Sequence, residues 1–183
     1  DARHLAAVGY DAVVNAGHEG ADGEVVNRVR TYRTLGAALA AAPQDSTRYT
    51  IFLRNGRHRE KLTVSRPNVS LVGENRDRTV LTYDAIADTP SPEGGTYGTR
   101  GSFTLRILAP GFRARSLTIE NAFDYMANYA KERDDPTRFA NPQGIDFPYL
   151  LAMLHDSFMT RSNTIVCPGG KMDLALQLIF TPM

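Results

Sequence analysis

Between residues 49 and 121 the chain is a succession of short runs rich in β-branched and apolar residues, each closed by a turn former and none separated by a helix-length apolar pattern. Tyr49–Leu53 ends at Asn55-Gly56, Lys61–Val64 before Pro67, and Asn68–Val72 at Gly73. Thr79–Thr82 ends near Asp84, Phe103–Ile107 at Pro110-Gly111, and Ser116–Ile119 at Asn121. A strand rhythm of this kind admits two architectures: a sandwich or barrel, or a coiled parallel solenoid in which each rung buries its inward row on the next. Ile51 and Leu71 stand 20 positions apart, a spacing compatible with one solenoid turn, and periodicity alone leaves both architectures open.

One helix precedes the strands. Thr34 is a suitable N-cap, Leu35, Ala38, Leu39 and Ala42 form one apolar face at helical spacing, and Pro43 stops the pattern. In a solenoid such a helix would cover the open end of the stack. Upstream, His18–Gly23 reads as a turn between the apolar segments Ala12–Val14 and Val25-Val26. Residues 84–102 form a long polar connection with two prolines and four glycines, a length usual for functional loops. The charges at Lys131–Asp135 read as a solvated surface. After Gln143 the rhythm stops: Phe147–Leu154 resembles a short apolar helix, Pro168-Gly169-Gly170 a break, and Leu174–Phe180 is apolar again.

Composition excludes several classes of function. Twenty-one Lys and Arg against 20 Asp and Glu leave a net charge of +1, without the basic excess of a nucleic-acid binder. A single cysteine, Cys167, forbids an internal disulfide and a thiolate zinc site. The histidines His4, His18, His58 and His155 lack metal-ligand spacing, so neither metal nor cofactor is expected. No apolar run approaches the roughly 20 residues of a membrane span, and no basic-then-apolar leader opens the chain at Asp1. There is no phosphate-cradling loop and no Gly-x-Ser-x-Gly elbow. The residues by themselves describe a soluble, mostly β domain with one exposed loop.

Longer stretches are more specific. Tyr32–Pro43, Ile51–Lys61 and Val69–Asp77 resemble the opening of the pectin methylesterase (pectinesterase) family. Gly56-Arg57-His58-Arg59-Glu60 stands where that family has Gly-x-Tyr-x-Glu, with His58 in the aromatic place. Gly98-Thr99-Arg100-Gly101-Ser102-Phe103-Thr104 resembles its Gly-Thr-x-Gly-Ser-x-Thr block, and Phe112–Tyr125 the following rung. The resemblance implies an all-β, right-handed parallel β-helix comprising the N-terminal rungs, a short capping helix and an atypical C-terminal tail. It divides the chain into a pectinesterase-like part, 1–143, and a divergent tail, 144–183.

It further implies a monomeric extracellular or periplasmic protein acting on methyl-esterified galacturonan (pectin), with Thr99 and Gln143 in the substrate groove. A hydroxyl and a carboxamide both donate and accept hydrogen bonds to sugar oxygens; the plainer alternative is that they only satisfy local backbone. Family catalysis uses two aspartates, a glutamine and an arginine. Their Gly-Tyr-Gln-Asp, Asp-Phe-Ile-Phe-Gly and Gly-Arg-Pro-Trp blocks are missing from this sequence, which has no tryptophan at all. Ile145-Asp146-Phe147 resembles the Val-Asp-Phe around the family nucleophile, making Asp146 the candidate nucleophile, without a matched acid or arginine. The expectation is a truncated or frame-altered, catalytically impaired esterase chain. Its alternatives are a non-catalytic polysaccharide-binding module and a hydrolase of other esters or thioesters rebuilt around Asp146. Leu150, Leu151, Leu154, Leu176 and Ile179 are candidates to cover the last rung.

Overall fold

The computed structural model describes residues 9–138, 164–167 and 170–172. Its strands are β1 (Ala12–Val14), β2 (Glu24–Val26), β3 (Val29–Tyr32), β4 (Tyr49–Leu53), β5 (Gly56–Arg59), β6 (Leu62–Val64) and β7 (Val69–Gly73). They continue as β8 (Thr79–Tyr83), β9 (Leu105–Ile107), β10 (Arg113–Arg115), β11 (Thr118–Asn121), β12 (Thr164–Cys167) and β13 (Gly170–Met172). Three sheets result, in the orders β10-β7-β4-β1-β3-β2, β13-β12-β11-β8-β5 and β6-β9. The chain visits them in rotation: β4, β5, β6, then β7, β8, β9, then β10 and β11. Every pairing between successive coils is parallel. This is a parallel β-helix and resolves the choice between sandwich and solenoid. Antiparallel pairing occurs, among the described residues, only at β2–β3 and β12–β13.

Register explains the spacing in the sequence. Ile51 lies beside Leu71 and Leu71 beside Ala114, while Ala12 flanks Ile51 from the other side. All four are buried and form one inward ladder. The step from Ile51 to Leu71 is the 20 positions seen in the sequence; the next step is longer because residues 84–102 are inserted between β8 and β9. A second ladder runs His58, Leu81, Ile119. His58, 3 % exposed, occupies the core, and its Nε2–H donates to the Arg54 carbonyl at 2.9 Å.

The helix Leu35–Ala40 forms where expected. Thr34 caps it through the Ala37 N–H, and Leu35, Ala38 and Ala42 enter the same core cluster as the first ladder. Glu60 adds a tie that is not local: its two carboxylate oxygens accept from Leu35 N at 2.7 Å and Gly36 N at 2.8 Å. The end of β5 is thereby fastened to the first turn of the helix, satisfying two of its orphan donors.

Besides β3, β12 and β13, two strands of the stacked coils went unread in the sequence, β5 and β10. Each carries arginines outward on either side of a single buried residue, His58 or Ala114. The β2–β3 turn is also unanticipated: Asn27 and Arg28, at φ 51° and 71°, make a two-residue hairpin loop with both φ positive. A five-residue helix, Tyr125–Tyr129, follows β11, with the Asp124 side chain accepting from Ala127 N.

Candidate functional site

The long connection 84–102 folds over the β8 end of the coil. Its base is apolar, with Ala85, Ile86 and Ala87 buried, and its tip is tightened by Ser91 N–Gly95 O and Gly94 N–Ser91 O bonds of 3.0 Å. The returning limb is held by Tyr97 N–Thr89 O at 2.9 Å and Gly98 N–Ala87 O at 2.8 Å. Gly98 has φ +64°, a left-handed conformation that a side chain would oppose, and the helical turn Gly98–Gly101 starts there. Thr99 sits in that turn.

Asn121, at the end of β11, anchors both ends of the connection. Its Nδ2 donates to Ala85 O at 2.7 Å and Ser102 O at 3.4 Å, while its Oδ1 accepts from Phe123 N. The sequence marks Asn121 only as a strand terminator. Nothing local signals that a buried carboxamide there closes a loop whose ends lie 19 and 36 residues away.

Outside the turn lies a line of alternating cations and rings. Arg57 pairs with Glu120, which also accepts from the Thr82 hydroxyl at 2.9 Å. Arg59 pairs with Asp84 at 2.6 Å and covers the Tyr83 ring at 4.8 Å; the hydrogen bond to Asp84 raises its pKa. The Tyr83 and Tyr97 hydroxyls stand 3.5 Å apart, and this contact raises the Tyr97 pKa. Lys61 Nζ lies 4.8 Å from the Tyr97 ring centroid and 3.1 Å from that of Phe103, and Arg106 reaches the Phe103 ring at 5.7 Å.

Burial, and secondarily the charge of Arg106, push Lys61 down to about 8. The sign of the consequence follows from proton counting. Above pH 8 the folded chain has released this proton while the unfolded chain keeps it to about 10.5. Stability therefore gains from Lys61 as pH rises through that window. Relative to Lys61→Met, the wild type should gain about 1 kcal/mol between pH 7 and pH 10, discounting for the half that solvent screens. Paired urea denaturation curves at the two pH values measure it.

Of the residues singled out in the sequence, Thr99 stands on the anchored turn, whereas Gln143 and Asp146 lie outside the described residues. Lys61, Tyr97, Phe103, Arg106 and Asn121 were not anticipated, because their partners come together only when successive coils stack. Among the described residues, no group of His, Cys, Asp and Glu side chains is arranged to hold a metal ion, and no helix is long and apolar enough to cross a membrane.

A β-helix with a glycine-rich loop held over one sheet defines a class of fold, and comparison with known proteins defines the family. The family model Pectinesterase matches residues 24–130, more than half of the chain, and the chain belongs to that family. Pectinesterase A of Dickeya dadantii is 39% identical over 140 residues, which are 76% of this chain and 36% of that protein. The crystal structure of pectin methylesterase in complex with hexasaccharide VII superposes with a TM-score of 0.65 at 39% identity, covering 73% of this chain and 37% of that one. The chain thus spans just over a third of the pectinesterases it matches. A second similarity is of another kind: the chromosomal phosphoribulokinase of Cupriavidus necator is 80% identical over 45 residues, 25% of this chain and 15% of the kinase.

Proposed function

We propose that this chain is the substrate-gripping N-terminal part of a pectinesterase, binding methyl-esterified homogalacturonan outside the cytoplasm as a monomer without cleaving it. The observation that carries the reading is the turn Gly98–Gly101. It keeps the family's Gly-Thr-x-Gly-Ser-x-Thr spacing and is fastened to the coil by Asn121. The solved relative named above holds a hexasaccharide, which supports a sugar-binding role for the shared rungs.

The lack of turnover is argued from the tail. Residues 131–183 are the only stretch outside the pectinesterase match long enough for 45 residues. If the kinase-like segment lies there, it must include 139–175, hence both Gln143 and Asp146. Ile145-Asp146-Phe147 then needs no esterase explanation, and a shifted reading frame becomes an unsuitable one, since a shifted frame would not preserve such identity to another protein. On that placement the junction between the two lineages falls between residues 131 and 139, ahead of Gln143, and Thr99 is the groove residue that remains.

Titration calorimetry of the 183-residue chain with a methyl-esterified hexagalacturonate tests this. Binding should be weakened about fivefold by Thr99→Ala, the worth of one hydrogen bond. No binding by the wild-type chain would overturn the reading.

A further inference from the structure

The outer face of the six-stranded sheet is a different side of the coil from the Thr99 turn, which lies in the connection from β8 of the second sheet to β9 of the third. On this face Thr50, Ser70 and Arg113 stand side by side across β4, β7 and β10, alternating with the inward Ile51, Leu71 and Ala114. Arg48 precedes Thr50 by two positions and reaches across β7. Its Nη1 donates to Ser70 Oγ at 2.8 Å and to Gly111 O at 3.0 Å, and its Nη2 to Asn68 Oδ1 at 3.4 Å. Ser70 is directly opposite Arg113, and Gly111 is two residues before it on the same chain segment. The two guanidinium groups therefore meet over the Ser70 hydroxyl.

The charge of this pair is not balanced locally. Arg54, Arg57, Arg59, Arg66 and Arg76 each have a carboxylate partner: Glu74, Glu120, Asp84, Asp45 and Asp77. Arg48, Arg113 and Arg115 have none among the described residues. Asp11, two strands from Ser70 and so about 10 Å away, is already accepting from Thr50 N. Burial, and secondarily the charge of Arg113, lower the pKa of Arg48. Two like charges held together in this way repel, and an anion between them removes the penalty.

The donors are also free to receive one. All three neutral acceptors of Arg48 leave its Nε–H and one Nη2–H uncommitted among the described residues. Arg113 is exposed and offers its whole fork. The Ser70 hydroxyl accepts from Arg48 but donates to nothing among the described residues, although Ser70 is only 7 % exposed. A single carboxylate would neutralise one of the two charges. A tetrahedral dianion neutralises both and has enough oxygens for two forks and a hydroxyl.

We propose that Arg48, Arg113 and Ser70 form a binding site for a dianionic phosphate, free or as a monoester, on the outer face of the six-stranded sheet. Arg115, two positions beyond Arg113 on the same face, adds a third positive charge at its margin.

Phosphorus NMR titration of the full chain with inorganic phosphate and with methyl phosphate, at pH 5.5 and pH 8, is the test. Inorganic phosphate should bind, and more tightly at pH 8, where its second proton has left. Equal binding of methyl phosphate would support a site open to esters, and weaker binding a site for the free ion. Arg113→Gln should weaken binding about tenfold, the worth of one charge-assisted contact, and Arg113→Lys should weaken it less by restoring the charge without the fork. Arg48→Met should act like Arg113→Gln, and Thr99→Ala should change nothing. Arg48 also holds Gly111 and Asn68, so its variant is checked by circular dichroism; if it fails to fold, the exposed Arg113 still decides the matter. The proposal is overturned if neither phosphate binds the wild-type chain, if Arg113→Gln binds unchanged, if binding does not tighten at pH 8, or if acetate binds as tightly as phosphate.

Discussion

Replacing Gly73 with alanine is expected to destabilise the chain by about 3 kcal/mol, the upper end of what an inserted methyl costs in a packed interior. Gly73 closes β7, and the next coil passes directly over it. A Cβ there would meet the Ser116 carbonyl oxygen at 2.0 Å, its carbon at 2.8 Å and Leu117 Cβ at 2.9 Å. The obstacle is backbone and cannot rotate away. Ser116 is itself at φ +57°, where the chain turns between β10 and β11. Relief would need the whole β10–β11 coil to rise, breaking its parallel register on β7 and β8. Urea denaturation followed by circular dichroism reads the loss. Ser116→Gly is the useful control, because glycine tolerates that φ and removes no coil-to-coil contact made by backbone.

Glu60→Ala should cost a similar amount, about 3 kcal/mol, by leaving two helix N–H groups without their carboxylate acceptor. The contact is bidentate and part-buried, and it joins positions 24 and 25 residues apart. Gly36 takes part by being small, since a Cβ there would stand 3.2 Å from a Glu60 oxygen. Thr34 still caps Ala37 N in the variant, so the helix Leu35–Ala40 should loosen from the coil rather than vanish. Glu60→Gln keeps one acceptor oxygen and should fall between the two. Hydrogen exchange at Leu35 and Gly36 is the specific readout, and unchanged protection there would refute the role given to Glu60.

These two positions show what could and could not be read in the amino-acid sequence. The helix was legible because its apolar face and its Thr34 cap are local. The inward ladder was legible because Ile51 and Leu71 recur at the coil's own spacing. By contrast, β5 and β10 were hidden. Their outward arginines break the apolar signal, and each strand buries only one side chain in the ladders, the small Ala114 or the atypical His58. The Gly-x-x-x-Glu spacing was noticed through family resemblance, but that Glu60 holds a helix is a tertiary fact. The same holds for the site. The length of the 84–102 connection marked it as functional, and resemblance marked Thr99. The grip of Asn121 on Ala85 and Ser102, and the gathering of Lys61, Tyr97, Phe103 and Arg106 around one ring, come from coils laid side by side. Pair contacts of that sort leave no periodic trace in a single sequence.

The division of labour follows from the same geometry. The described rungs supply a capped end, a closed core and a fastened loop, and on the proposed reading these hold a polysaccharide. On the same reading the chain does not cleave esters, since the family resemblance leaves Asp146 without a matched acid or arginine. The most direct measurement of that claim is methanol release from highly methyl-esterified pectin by the purified 183-residue chain. The expected result is no release above the enzyme-free rate, with Asp146→Ala indistinguishable from wild type. Sustained release that Asp146→Ala abolishes would contradict it, and would place a working ester-cleaving centre in the tail.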